Sequence, residues 1–284
     1  MHARAPASSA NLGPGFDTLA LAVDLHVEVE LEAAPALEVH AEGEGAELPT
    51  DRSHLAARVA AEVLGHDRFR LRVRSAIPVG RGLGSSAALA AAAAGAAGAG
   101  PEDALAIAAR HDGHPENAAA SVFGGLVAAT VLDTETVCVP FPLDPALAFV
   151  VLVPDRRLST SEARAALPTQ IGHGDAAFNL GRMALLLAGL ADAGRLRPEA
   201  TADRLHQEQR GRLFPEARAL LDGLVAAGAR AACWSGAGPS LLAFCIESDA
   251  ERIREAAALL LAEHGVPGRA LRLGADRSGL VVGG

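Results

Sequence analysis

Lysine and tyrosine are both absent from this 284-residue chain, and all 25 of its Lys+Arg positions are arginine. Without lysine, no glycine-rich loop here can be of the Walker type, which needs that side chain on the β- and γ-phosphates. Aromatic residues are scarce at 3 %, eight Phe and one Trp, which leaves little for platforms on which bases stack. A basic excess is missing too: net charge is −9 and the pI about 5.6, which argues against nucleic acid as partner. The three cysteines, Cys138, Cys233 and Cys245, lie in apolar runs without CxxC spacing and read as reduced thiols. No apolar run is long enough to span a bilayer; the longest, residues 87–100, is mostly alanine and is broken by Gly95 and Gly98. The N-terminus lacks the apolar stretch of an export signal. These features predict a cytoplasmic protein with neither nucleic acid nor membrane as partner.

What is present is a large hydrophobic fraction, 50 %, enough for one large domain or two ordinary ones. Residues 68–74 alternate arginine with apolar side chains, and residues 19–31 carry Leu or Val at every odd position with Asp24, His26, Glu28 and Glu30 at even ones, the period of half-buried strands, with Asp24 as a break. Residue 39 opens a weaker strand, and residues 53–64 form a helix capped by Asp51 or Ser53. Helices over 85–97 and 101–110, a polar interruption at 111–117 and a strand over 124–132 follow. Pro140, Pro142 and Pro145 mark a domain boundary, giving domains 1–146 and 147–284. The second contains strands at 147–153, 229–234 and 241–246 and a closing strand from 270. Its helices fall at 161–167, 176–190, 202–206, 215–227 and 250–264, an α+β arrangement of ferredoxin-like character.

Four segments carry polar or glycine-rich patterns that packing alone does not require. Residues 78–88 read Pro-Val-Gly-Arg-Gly-Leu-Gly-Ser-Ser-Ala-Ala between a strand and a helix. Such a loop aims backbone N–H groups and a helix N-terminus at one spot, which suits a phosphate, but small residues also let a helix pack closely on a sheet. In residues 6–17, Asn11 and Asp17 either bond their own turn or face a polar ligand. Residues 112–117, Asp-Gly-His-Pro-Glu-Asn, are either a capped helix end or a site; His111 and His114 are too few for zinc. Residues 234–240 form a second glycine-rich turn between strands.

Together these segments resemble the GHMP kinase superfamily and, within it, the homoserine branch. Residues 78–87 are similar to its phosphate loop, which assigns Pro78, Val79, Gly80, Arg81, Gly82, Leu83, Gly84, Ser85, Ser86 and Ala87 to ATP binding. Residues 235–240 match its C-terminal glycine-rich motif. Residues 9–17, 113–117, 158–160 with Arg164, and the set Asp203, His206 and Arg210 point to the homoserine branch. The resemblance implies a two-domain α+β GHMP kinase fold, with a ribosomal protein S5 domain 2-like N-terminal domain and a ferredoxin-like C-terminal domain. It implies transfer of the ATP γ-phosphoryl to the L-homoserine hydroxyl, for threonine biosynthesis, in a homodimer.

Asn11, Asp17, His114 and Asn117 would contact homoserine, Asp17 meeting the ammonium. Arg164 and Arg210 would take the carboxylate, and Thr160 would place the hydroxyl or phosphate. Magnesium would sit on Ser85 or Ser86 with Asp112, where relatives more often carry Glu; Glu116 stands where they usually carry Asp. No dedicated base is implied. The alternatives are another GHMP small-molecule kinase, of mevalonate or sugar type, and a non-catalytic ligand-binding regulator.

Overall fold

Period-two alternation builds the first of two sheets. In the computed structural model, which describes residues 1–133 and 135–283, the chain opens with β1 (His2–Ala10), β2 (Leu19–Ala33), β3 (Glu38–Gly43), α1 (Leu55–Leu64) and β4 (Phe69–Ser75). β2 pairs antiparallel with β1 along its length and with β4 at its far end, and β3 runs parallel to β4. Val27, Val29, Leu71 and Val73 point into the core. The alternate positions form an exposed lattice of Arg70, Arg72 and Arg74 with Glu30, Glu32, Glu38 and Glu42. Such exposed pairs keep the face soluble and add little stability.

Two local expectations change. The break at Asp24 is a bulge: register shifts between Pro6 and Ala7, and β2 continues unbroken while the Asp24 carboxylate accepts the Gly274 N–H at 2.7 Å. The cap of α1 is His54, whose Nδ1 accepts the Ala56 N–H at 3.2 Å; Asp51 instead serves the preceding turn, accepting from the Ser53 N–H.

α2 (Ser85–Ala96) is buried on nearly every side because alanine lets the sheet, α1, α3 (Pro101–Asp112) and α4 (Pro115–Phe123) all approach it. The polar interruption expected at 111–117 is only residues 113–114, since Gly113 ends α3 in the left-handed region and Pro115 opens α4. β5 (Leu126–Leu132) pairs with β2 and with β6 (Glu135–Phe141), an unforeseen edge strand that tolerates Pro140 because its outer side has no partner among the described residues.

The second sheet follows β7 (Leu147–Pro154). After α5 (Thr160–Ala165), α6 (His173–Ala191), α7 (Gln207–Arg210) and α8 (Ala217–Ala226) come β8 (Ala231–Trp234), β9 (Leu241–Ile246), α9 (Ala250–Glu263) and β10 (Gly268–Leu273). Strand order is β10-β7-β9-β8, all antiparallel. β7 is buried on both faces: Val150 and Leu152 pack with α8 and α9, Phe149 and Val151 in a core shared with the first sheet. The helix expected at 202–206 does not form, because the Asp203 carboxylate accepts the N–H groups of Leu205, His206 and Gln207 and delays the helix to α7. Finally β11 (Val281–Gly283) returns to the first sheet beside β1. Residues 134 and 284, which the expected domains included, lie outside the described residues.

Candidate active site

The loop between β4 and α2 is held from below by backbone. The N–H of Ser8 donates to Leu83 O, the N–H of Ser240 to Arg81 O, and Ser235 Oγ to Gly82 O at 2.7 Å. Gly82 and Gly84 have φ of +74° and +63°. A Cβ on Gly82 would lie 2.2 Å from the Ser235 carbonyl oxygen, and one on Gly84 2.0 Å from Ser8 Oγ. Only glycine satisfies both the left-handed backbone and the close approach. The loop lets α2 pack tightly, and the N-terminus of that helix, with Ser85 and Ser86, borders a cavity. Arg81 acts as a strut, its guanidinium donating to the carbonyls of Val79, Pro154 and Asp155. Leu83 and Ala87 are buried, with their side chains in the core.

The same cavity borders two unlike walls. One is apolar and comes from β3, β4, α1 and the turn after β3: Ala41, Val73, Leu55 and Leu48. The other holds Asp17, His114, Glu116, Asn117, Thr160, Arg164 and Arg210. A second depression shares Asp17, His114, Glu116, Thr160 and Arg164 with it and none of the apolar residues, so the two walls are separate parts of the cavity.

At the polar end, Arg164 donates to both carboxylate oxygens of Asp17 at 2.9 Å, so the two charges expected to meet ammonium and carboxylate meet each other. Asn11 sits at φ +70° and is spent on backbone: Nδ2 donates to Gly236 O at 2.9 Å, and Oδ1 accepts the Asp17 N–H at 3.0 Å. It shapes the loop that presents Asp17. Asn117, in the first turn of α4, accepts from Ser8 Oγ at 2.9 Å.

Arg210 is only 2 % exposed. It donates to Gly236 O and to His206 Nδ1, and burial pulls its pKa down to about 10, so it remains a cation at neutral pH. His206 donates from Nε2 to Gly13 O at 2.8 Å; burial holds its pKa at about 4, and the neutral ring can accept from Arg210. Phe16 stacks on His206 with centroids 5.1 Å apart, and the guanidinium groups of Arg164 and Arg210 both lie over its ring.

His114 is the N-cap residue of α4, with no side-chain cap bond; its Nδ1–H donates to the Asp112 carbonyl, and the Asp112 carboxylate beside it raises its pKa. Glu116 is 2 % exposed with Oε2 unpartnered, and burial pushes its pKa up to about 7. That orphan acceptor, the Phe16 platform, Ser8 and the His206–Arg210 contact all escaped the reading of individual residues. The signal for the last was the spacing of Asp203, His206 and Arg210. Ser86 Oγ donates to Asp112 Oδ1, bringing a hydroxyl and a carboxylate together beside Ser85. The described residues hold no cluster of three or more His, Cys, Asp or Glu side chains fit to bind a metal unaided. One carboxylate plus hydroxyls suits a hard cation that takes its remaining ligands from phosphate and water, as magnesium does.

Residues 53–125 match the family described as GHMP kinases N terminal domain, and residues 176–261 that described as GHMP kinases C terminal. A homoserine kinase from Thermus thermophilus is 41 % identical over 95 % of this chain and 94 % of its own. Homoserine kinase from Mycolicibacterium vanbaalenii is 40 % identical over 95 % and 87 %. Among solved structures, homoserine kinase from Cytophaga hutchinsonii superposes with a TM-score of 0.87 at 26 % identity, covering 99 % of this chain and 96 % of that one. Leishmania major mevalonate kinase, at 16 % identity and a TM-score of 0.74 over 98 % and 95 % of the two chains, shares the fold.

Proposed function

Given that the chain belongs to the homoserine kinases of the GHMP kinase superfamily, we propose that it transfers the γ-phosphoryl of ATP to the side-chain hydroxyl of L-homoserine, a step toward threonine. The observation that carries this reading is one cavity joining a glycine-cradled helix N-terminus to a wall with two carboxylates, Asp17 and Glu116, and two guanidinium groups, Arg164 and Arg210. Phosphoryl transfer demands alignment and charge neutralisation more than covalent participation by the protein.

Backbone N–H groups of residues 80–86 and the α2 dipole would hold the triphosphate in place of the missing lysine. The substrate ammonium would take Asp17 from Arg164, freeing that guanidinium to share the substrate carboxylate with Arg210. Glu116 Oε2 leaves one more acceptor for the amino acid, while His114, Asn117 and Thr160 border the hydroxyl. The hydroxyl oxygen bonds to the γ-phosphorus, the bond from phosphorus to the β–γ bridging oxygen breaks, and ADP leaves with that electron pair. The hydroxyl proton passes to a phosphate oxygen or water, with no dedicated base. Ser85, Ser86 and Asp112 would hold magnesium, which would offset phosphate charge when bound.

We further read the protein as a cytoplasmic homodimer. No helix among the described residues is long and apolar enough to cross a membrane, and Val131, Leu132 and Val139 expose apolar surface on the β5–β6 hairpin. A coupled ADP-release assay offering L-homoserine, mevalonate, galactose and L-threonine separately tests the activity. Turnover with homoserine alone is expected; turnover with another alcohol and none with homoserine would refute it.

A further inference from the structure

We propose that Phe16 is a positioning residue for the substrate carboxylate: the negative face of its ring keeps the guanidinium groups of Arg164 and Arg210 together when the substrate ammonium draws Asp17 away. This rests on the reading of the two arginines as the carboxylate clamp and adds what holds two like charges at one site. Their repulsion is felt at Arg210, where burial lowers the pKa and the Arg164 charge lowers it further, while Asp17 and Asp203 oppose both.

The two arginines are anchored unequally. Arg210 is buried and donates to the carbonyls of Gly236 and Ala163 and to His206 Nδ1, so hydrogen bonds to neutral groups fix it. Arg164 is about half exposed, and among the described residues its guanidinium donates to Asp17 alone. Glu116 attracts it without a hydrogen bond to it. Once Asp17 turns to an ammonium, the contact that remains to Arg164 is the Phe16 ring, whose centroid lies 5.6 Å from its Cζ and 5.5 Å from that of Arg210.

The ring is itself held for this task. It stacks on His206 at 5.1 Å and 27°, and burial keeps that imidazole neutral, so no third cation lies against it. Phe16 directly precedes Asp17, whose N–H is tied to Asn11 Oδ1, and Thr18 Oγ1 donates to the Phe16 carbonyl. One turn thus presents a carboxylate and an aromatic face to the same guanidinium. An aliphatic side chain would fill the space but has no quadrupole with which to attract a cation.

The test replaces Phe16 with mono-, di- and trifluorophenylalanine and, separately, makes Phe16→Leu, with steady-state kinetics and a thermal melt for each. Fluorine drains the negative face and leaves the ring's shape nearly unchanged. The KM for homoserine is expected to rise stepwise with fluorine number, reaching about tenfold at three, the scale of losing the attraction to two partly desolvated guanidinium groups. Phe16→Leu should match the trifluoro protein, and kcat and the KM for ATP should change by less than about twofold throughout. A KM for homoserine that stays flat across the fluorinated series overturns the proposal and leaves the kinase reading intact, even if Phe16→Leu is impaired. A rise that follows lost thermal stability, or is matched by the KM for ATP, overturns it as well. A wild type without turnover on homoserine overturns both readings.

Discussion

Glu116 is the residue at which stability and function conflict. Its carboxyl has a pKa of about 7 against an ordinary 4.5, because burial penalises the charged form. A raised carboxyl pKa costs the fold nothing below 4.5; the cost grows as pH rises from there to 7 and is complete above it. Glu116→Gln should therefore leave the melting temperature unchanged at pH 4 and stabilise the protein at pH 8 by up to about 3 kcal/mol. The same variant should be slower with homoserine, having lost a charged acceptor, and a stability gain at pH 4 equal to that at pH 8 would contradict this origin. Asp17 poses the complementary case, since its partner Arg164 is itself a candidate ligand. Asp17→Asn should raise the KM for homoserine at least tenfold and change that for ATP less than twofold, as steady-state kinetics would show. Comparable changes in both would make the Asp17–Arg164 pair a general support of the cavity.

Among the structural elements, the phosphate loop shows which glycines the fold demands. At Gly82 an added Cβ meets the Ser235 backbone oxygen at 2.2 Å, which no rotamer can relieve, whereas at Gly80 it meets only Arg157 side-chain carbons at 3.7 to 3.8 Å. Gly80→Ala should cost little beyond its positive φ, roughly 1–2 kcal/mol, and Gly82→Ala considerably more together with ATP binding. Thermal melts with and without ATP would separate the two; equal losses would remove Ser235 as the reason. Helix starts tell a related story. The segment 111–117 read as an interruption because its polar residues mask α4, yet that start is what carries His114, Glu116 and Asn117 into the cavity. At 202–206 the error ran the other way, since composition favoured helix and the Asp203 side chain captured the N–H groups that a helix would need.

The whole molecule is built on a core that ignores the proline boundary. We propose domains 1–146 and 147–284, but Phe149 and Val151 of β7 and Leu186 and Leu190 of α6 pack in the same cluster as Leu21 and Val29 of β2. β11 closes the first sheet from the far end of the chain. Calorimetry should accordingly show a single cooperative transition, and residues 1–146 expressed alone should lack one; two resolved transitions in the full chain would disprove this coupling.

By itself the sequence determined the local and the inherited. Alternation marked the strands, glycine placed the turns and the alanine run made a helix; motifs in order along the chain identified the superfamily. These depend on neighbours in sequence or on residues whose backbone geometry few others can adopt. Only the tertiary structure decided that Asp17 pairs with Arg164, that Asn11 is spent on Gly236, that Arg81 is a strut and that Glu116 is left without a partner. Hydrogen bonds and burial are settled between groups far apart in the chain, 225 residues in the case of Asn11 and Gly236, and for that reason no window along the sequence contains them.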